Sequence, residues 1–156
     1  MAHRESIGDP TLKDYLRGAG NFFWSVSSAV GYGCKNHTED VRLVQFFLNR
    51  NFFGAKLRGS AAKYPEQLKM DGKFGGKTWA AIKTFQRNNG QTVVDGMVSA
   101  PPNGKLYTKS GWAYTIYILN GEYLSYFPAN HLDITRDPGI PNELLNHLSG
   151  PLPDLM

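Results

Sequence analysis

The run Asp71-Gly72-Lys73-Phe74-Gly75-Gly76-Lys77-Thr78-Trp79-Ala80-Ala81-Ile82-Lys83-Thr84-Phe85-Gln86 joins two kinds of local signal. Its first half is turn chemistry. An Asp accepts from the backbone two residues on, the following Gly supplies a left-handed φ, and Gly75-Gly76 closes a tight turn around Phe74. The second half changes period. Trp79, Ile82, Phe85 and Gln86 fall on neighbouring turns of a helix expected from about Lys77 to Asn89, with Gly90 as its stop.

Upstream, Val41, Val44, Leu48 and Phe52 recur at helical spacing, which predicts an amphipathic helix over residues 37–52. Asn36 and Glu39 spell a capping-box-like start with Asn in place of Ser or Thr. Residues 54–69, with Gly54, Gly59 and Pro65, read as a long loop with room for one helical turn. Before residue 36 the chain reads as an irregular arm punctuated by Gly18, Gly20, Gly31 and Gly33. Within it Phe22-Phe23-Trp24-Ser25-Val26 fits either a short strand or an apolar strap.

Downstream, Asp95-Gly96 marks a second turn and Pro101-Pro102-Asn103-Gly104 forbids regular structure. Residues 111–127 support two readings. Trp112, Ile116, Leu119 and Tyr123 form a helical stripe, while Asn120-Gly121 between two apolar runs spells a hairpin turn, which local rules slightly favour. A last short helix is expected at Pro141 to Leu148, ended by Gly150 and the tail Pro151-Leu152-Pro153.

Two parts of the chain echo one another. Val41-x-x-Val44-Gln45-x-x-Leu48 matches Ile82-x-x-Phe85-Gln86, and Asp71-Gly72-x-Phe74-Gly75 matches Asp95-Gly96-x-Val98-Ser99. Each copy pairs an Asp-Gly turn with an apolar anchor and with a helix that carries a Gln beside a core residue.

On these residues, from Val41-Arg42-Leu43-Val44-Gln45 through Asp71 to Gln86 and on to Val94-Asp95-Gly96-Met97-Val98, the chain resembles the small three-helix peptidoglycan-binding domain found beside catalytic domains in cell-wall hydrolases. The resemblance implies an all-α, three-helix bundle over residues 36–127, with the N-terminal arm at 1–35 and a C-terminal extension with a short helix at 128–156. It also settles residues 111–124 as the third helix. The stretch Val30-Gly31-Tyr32-Gly33-Cys34-Lys35-Asn36 with Glu39-Asp40-Val41 is similar to stand-alone members associated with phage lysis and contractile injection systems. Three departures stand out: the long 51–69 connection, Ser99 where a Gly is expected, and Ala100-Pro101-Pro102-Asn103-Gly104 in place of the usual start of the third helix. The last two touch the groove where the second Asp-Gly turn meets that helix.

By this resemblance the chain binds bacterial peptidoglycan without catalysis of its own. Lys73, Thr78, Gln86 and Asn88 would donate to the carboxylates and amides of the stem peptide, and Trp79 would stack on an apolar face, with Phe74 beside it. Most of the aromatic set of Phe47, Phe74, Trp79 and Phe85 must be core. Trp79 and Phe74, next to the open glycine turn, are the ones placed to be exposed.

Composition narrows the alternatives. With 156 residues, 41% hydrophobic and 19% charged, the chain has the makings of one folded domain rather than a disordered one. The net charge of +4 is modest and its basic residues are scattered, so nucleic acid is not the expected partner, whereas an acidic polymer fits. Cys34 is the only cysteine, which excludes an internal disulfide and a thiolate zinc cage. No apolar run is long enough to span a membrane, and residues 1–17 lack the apolar stretch of a secretory signal. The expectation is synthesis in the cytoplasm, with action at the periplasm or wall reached by a non-classical route.

No catalytic set emerges. Asp71 and Asp95 read as turn residues rather than paired acids, Glu39 as a helix cap, and only Glu66 and Glu122 stay open as a general acid without a partner. His131-x-Asp133 resembles a fragment of a zinc site that His3, His37 or His147 would have to complete. The spacing of a metal site is missing, so no metal or other cofactor is expected and the histidines read as surface residues. Cys34 near His37 lacks a third group and reads as an inert thiol. The alternatives are a small wall hydrolase or amidase with its site in residues 99–156, and an interaction protein of a phage or secretion apparatus that has lost the groove.

Overall fold

Helix α1, Thr38–Leu57, runs through the middle of the protein, and from Asp40 to Phe52 only Arg42 and Arg50 are not buried. The structure is a computed structural model that describes residues 2–6, 22–59, 64–102, 113–131 and 133–148. The amphipathic stripe expected for α1 is therefore only part of what is covered. A helix buried on all sides needs partners on all sides, and α1 has them in α2, Gly76–Asn88, in α3, Thr115–Tyr126, and in α5, Asn142–Leu148.

Helix α1 runs past the expected end at residue 52 because Gly54 is not a breaker here. A Cβ at Gly54 would come within 2.6 Å of the Tyr126 ring, so the missing side chain lets α3 cross α1 closely. The loop expected at 54–69 shortens accordingly, and Asn49 organises part of it. Its amide donates to the Leu68 carbonyl at 2.9 Å and its oxygen accepts from the Leu68 N–H at 2.8 Å.

The helix start also differs from expectation. His37 occupies the N-cap position and makes no side-chain capping bond. Asn36 adopts φ 51° and turns its side chain back, accepting from Gly31 N–H at 2.8 Å and donating to the carbonyls of Gly31 and Cys34. The expected Asn36–Glu39 capping box is thus replaced by a closed loop over residues 31–36. Asp40, buried, anchors the chain just before it by accepting from the N–H groups of Ser27 and Ser28 at 3.3 and 3.1 Å.

The remaining helices follow the resemblance. Residues 115–126 are helix, so the hairpin reading of Asn120-Gly121 fails; Trp112, which headed the stripe, lies outside the described residues, as do Gly18, Gly20, Asn103, Gly104, Gly150 and the tail. Two short helical turns, α4 at Pro128–His131 and a 3-10 turn at Ile134–Arg136, lead to α5.

The N-terminal arm is more ordered than expected where it is described. Strand β1, His3–Ser6, pairs antiparallel with β2, Phe22–Ser25, with Arg4 opposite Trp24. Of the two readings of Phe22 to Val26, the strand is the one found. It lies in the core: Phe23 and Trp24 are wholly buried, and the Trp24 indole N–H donates to the His131 carbonyl at 2.8 Å. The extension is tied in by Asp137, which accepts from Arg50 Nε at 3.0 Å, from the Tyr123 hydroxyl at 2.7 Å and from Gly139 N–H at 2.8 Å. A buried carboxylate is tolerated only when paired and hydrogen-bonded in this way. Burial and the neighbouring Asp137 together push the Tyr123 hydroxyl well above its ordinary pKa.

Candidate functional site

The sequence echo becomes two matching brackets. In the first, Gln45 Oε1 accepts from Gly72 N–H at 3.0 Å while its Nε2 reaches Asp71 Oδ1, the Lys73 carbonyl and Thr78 Oγ1 at 3.3, 3.1 and 3.2 Å. In the second, Gln86 Oε1 accepts from Gly96 N–H at 2.9 Å while its Nε2 reaches Asp95 Oδ1, the Met97 carbonyl and Thr115 Oγ1 at 3.1, 3.3 and 3.1 Å. Asp71 and Asp95 each accept from the backbone N–H two residues on, at 3.0 Å, as turn-forming residues should. The Lys73 N–H above all holds the Asp71 carboxyl below the usual carboxylate range.

Glycine is obligatory in both turns. Gly72 and Gly96 have φ of 73° and 70°, and a side chain at either would collide, at Gly72 with Thr38 and at Gly96 with the Trp79 indole. A backbone bridge between Val30 and Val98, at 2.7 and 2.9 Å, fastens the second turn to the segment that precedes α1.

These brackets sort the six expected site residues. Thr78 and Gln86 are buried and brace the turns: both amide atoms of Gln86 are engaged inside the protein, and Thr78 Oγ1 accepts from Gln45 while Thr78 also borders the groove beside the first turn. Lys73 is exposed and, with Lys69, Lys77 and Phe74, borders a groove beside the first turn. Phe74 and Trp79 face a second concavity that opens from the same glycines, Gly75 and Gly76. Asn88 is exposed near the end of α2 and borders neither. Lys73, Phe74 and Trp79 are thus brought onto one face, and Asn88 is not.

Trp79 is 37% exposed. Its indole N–H donates to the Asp95 carbonyl at 3.3 Å, Lys83 Nζ stands 3.4 Å over its ring, and Tyr32 lies 6.4 Å away, centroid to centroid, tilted by 42°. Sequence reasoning missed Tyr32, which is 86% exposed. The available signal was Gly31-Tyr32-Gly33, a ring between glycines that no helical or strand period assigns to the core.

A separate groove lies where the second turn meets α3, bordered by Gln91, Asp95, Met97, Tyr114, Thr115 and Ile118. Of the departures after Val98, Ser99 lines this groove. Among the described residues its lining holds no lysine or arginine, and Gln91 donates to Thr115 Oγ1 at 3.1 Å.

The other candidate groups are placed singly. His131, expected at the surface, is buried against the Phe22 ring, with Nε2 3.1 Å from Asn120 Oδ1, and burial lowers its pKa to about 4. It follows β2 into the core because α4 packs beneath Trp24. Cys34 is half-buried, and burial, then Asp95, pushes its thiol up, away from nucleophilic thiolate. Among the described residues no three His, Cys, Asp or Glu side chains are grouped to hold a metal ion, and no helix is long and apolar enough to cross a membrane.

Residues 37–100 match the family model described as "Putative peptidoglycan binding domain", a span that holds α1, α2 and both brackets except Thr115. No curated protein and no solved structure matches the chain. The matched domain is a non-catalytic module of wall binding, and the all-α fold agrees with it. The two Gln–Asp-Gly pairs and the helices that carry them thus lie in a stretch, residues 37–100, that is similar to the peptidoglycan-binding domain family.

Proposed function

We propose that residues 36–127 are the binding unit of a non-catalytic protein that attaches to bacterial peptidoglycan through the face around Gly75 and Gly76. The observation that carries this reading is the exposed junction of a lysine-bordered groove with an aromatic concavity at the start of α2, inside the matched segment. The stem peptide offers carboxylates and amides. Lys69, Lys73 and Lys77 supply cationic donors for them, and Gly75, the N-cap of α2, leaves the first helical N–H groups without a side-chain cap. Phe74 and Trp79 cover the apolar parts of the ligand. Residues 1–35 and 128–156 flank this unit, and among their described residues β2 and Asp137 brace its helices.

The finer reading is that the protein brings a phage-type or contractile secretion apparatus to the wall, delivered by that apparatus. Its support is the likeness of Val30-Gly31-Tyr32-Gly33-Cys34-Lys35-Asn36 to stand-alone members of that kind. Co-sedimentation with purified sacculi at physiological salt tests the binding reading. Retention there, without release of soluble muropeptides, is the expected result. Retention only at very low ionic strength would reduce it to charge attraction, and muropeptide release would make the chain a wall hydrolase.

A further inference from the structure

We infer that Tyr32, Trp79 and Phe74 form a subsite for a pyranose ring of the glycan strand, so that this chain recognises sugar as well as stem peptide; this rests on the peptidoglycan reading above. Tyr32 lies outside the matched segment, and it is the segment before α1 that carries this ring to the face.

The first argument is what the concavity is made of. Its lining is three aromatic side chains and the backbone of Gly75 and Gly76, with no charged or amide side chain among them. A stem-peptide carboxylate finds no partner there. The apolar C–H face of an N-acetylhexosamine does, because those polarised C–H groups meet the negative faces of the rings. Two rings tilted by 42° at 6.4 Å make a shallow wedge rather than a flat stack. Lys83 Nζ, 3.4 Å from the centroid of the Trp79 ring, is seated on that ring and does not line the concavity.

The second argument is the glycines. Gly72 and Gly96 are required by their φ and by collisions, but Gly75 and Gly76 are not. Neither has a positive φ, and a Cβ built on either meets nothing within 4 Å. Gly75 suits the N-cap that it occupies, but at Gly76, the first residue of α2, folding alone would favour a side chain. Bare backbone is what a ligand needs for close approach. The same two glycines border the lysine groove, so a peptide attached to a sugar held on the rings would run directly towards Lys73 and Lys77.

The third argument concerns Tyr32 itself. At 86% exposed, in a loop closed by the side chain of Asn36, it contributes almost nothing to the core, yet it is held near Trp79. Its removal is therefore a clean test of ligand contact.

Three probes separate the sources of binding in the full chain: chitotetraose as glycan alone, a free stem tetrapeptide, and a disaccharide-tetrapeptide. Binding is read by calorimetry, and saturation-transfer NMR reports which protons of chitotetraose touch the protein. The expected result is that Tyr32→Ala keeps the wild-type melting temperature, weakens chitotetraose and disaccharide-tetrapeptide by about threefold to tenfold, and leaves the tetrapeptide unchanged. Tyr32→Phe should retain sugar binding, and saturation should concentrate on the axial ring protons of one sugar face. Binding of tetrapeptide and sacculi with no effect of Tyr32→Ala on either sugar ligand overturns the subsite and leaves the peptidoglycan reading standing. Failure of every ligand and of sacculi overturns both. Self-association that depends on Tyr32, without sugar binding, assigns the rings to a second copy of the chain and also overturns the subsite.

Discussion

The side-chain amide of Asn120 pairs with the main chain of Trp24 on both sides, accepting from its N–H at 2.8 Å and donating to its carbonyl at 2.8 Å. A helix thereby stands in for a neighbouring strand, and β2 is sealed against α3. Replacement of Asn120 by Leu keeps the volume roughly but leaves both backbone groups of Trp24 buried without partners. Each such group costs about 1 to 3 kcal/mol, so Asn120→Leu should destabilise the protein by roughly 2 to 5 kcal/mol. Urea unfolding with an unchanged slope and a lower midpoint is the expected measurement.

Acid should weaken the fold through His131. Its pKa falls from an ordinary 6.5 to about 4 in the folded protein because the ring is buried. The unfolded chain therefore takes up this proton first as the pH drops. The stabilisation is fully present above pH 6.5 and is lost between pH 6.5 and 4, amounting to about 3 kcal/mol over that window. Thermal melts from pH 7.5 to 4 should show a steeper decline for the wild type than for His131→Gln, and parallel declines would assign the acid sensitivity to carboxylates.

Gln45 and Gln86 should behave as a pair. Each holds an Asp-Gly turn by accepting one glycine N–H and donating to three oxygens. Gln45→Leu and Gln86→Leu should each cost about 2 to 4 kcal/mol, the cost of several unpaired buried groups. If Gln86→Leu kept its melting temperature and lost sacculus binding, its amide would be a ligand donor after all.

Phe85 and Trp79 separate folding from binding within one helix. Phe85 is 2% exposed, so Phe85→Ala should cost about 3 to 5 kcal/mol. Trp79→Ala should cost less, because the ring is partly exposed and its polar contact is a single bond at 3.3 Å, yet it should weaken sacculus binding severalfold. Melts and pull-downs on both variants decide it. Equal stability losses with normal binding by folded Trp79→Ala would make the indole a structural cover for Gly96 alone.

The helices were legible in the sequence because period and turn chemistry are local. Asp71-Gly72 and Asp95-Gly96 announced themselves, and so did the apolar anchors Val44 and Phe85, both buried in the core. What was not legible depends on partners far along the chain. Gly54 looked like a breaker because nothing near it mentions Tyr126. His131 looked like a surface residue because its burial is decided by β2, more than a hundred residues earlier. The same holds for the site. Lys73, Phe74 and Trp79 sit beside the turn that named them, whereas the engagement of Thr78 and Gln86 and the approach of Tyr32 appear only when the two turns and the arm are brought together.

The bond between Arg50 and Asp137 bears on how the module can be transplanted. Arg50 lies on α1 inside the matched segment and Asp137 lies beyond it, in the stretch before α5. A fusion cassette cut at residue 100, or even at 127, would strand the Arg50 guanidinium on Phe127 or in an opened core, remove the carboxylate that the Tyr123 hydroxyl needs, and uncover Trp24. A buried Tyr123 hydroxyl left without its acceptor costs about 1 to 3 kcal/mol by itself, a large share of the stability of a marginal domain. A graft intended to carry wall affinity to another protein therefore has to take the chain at least through Leu148, unlike a repeat that can be clipped at its motif boundaries.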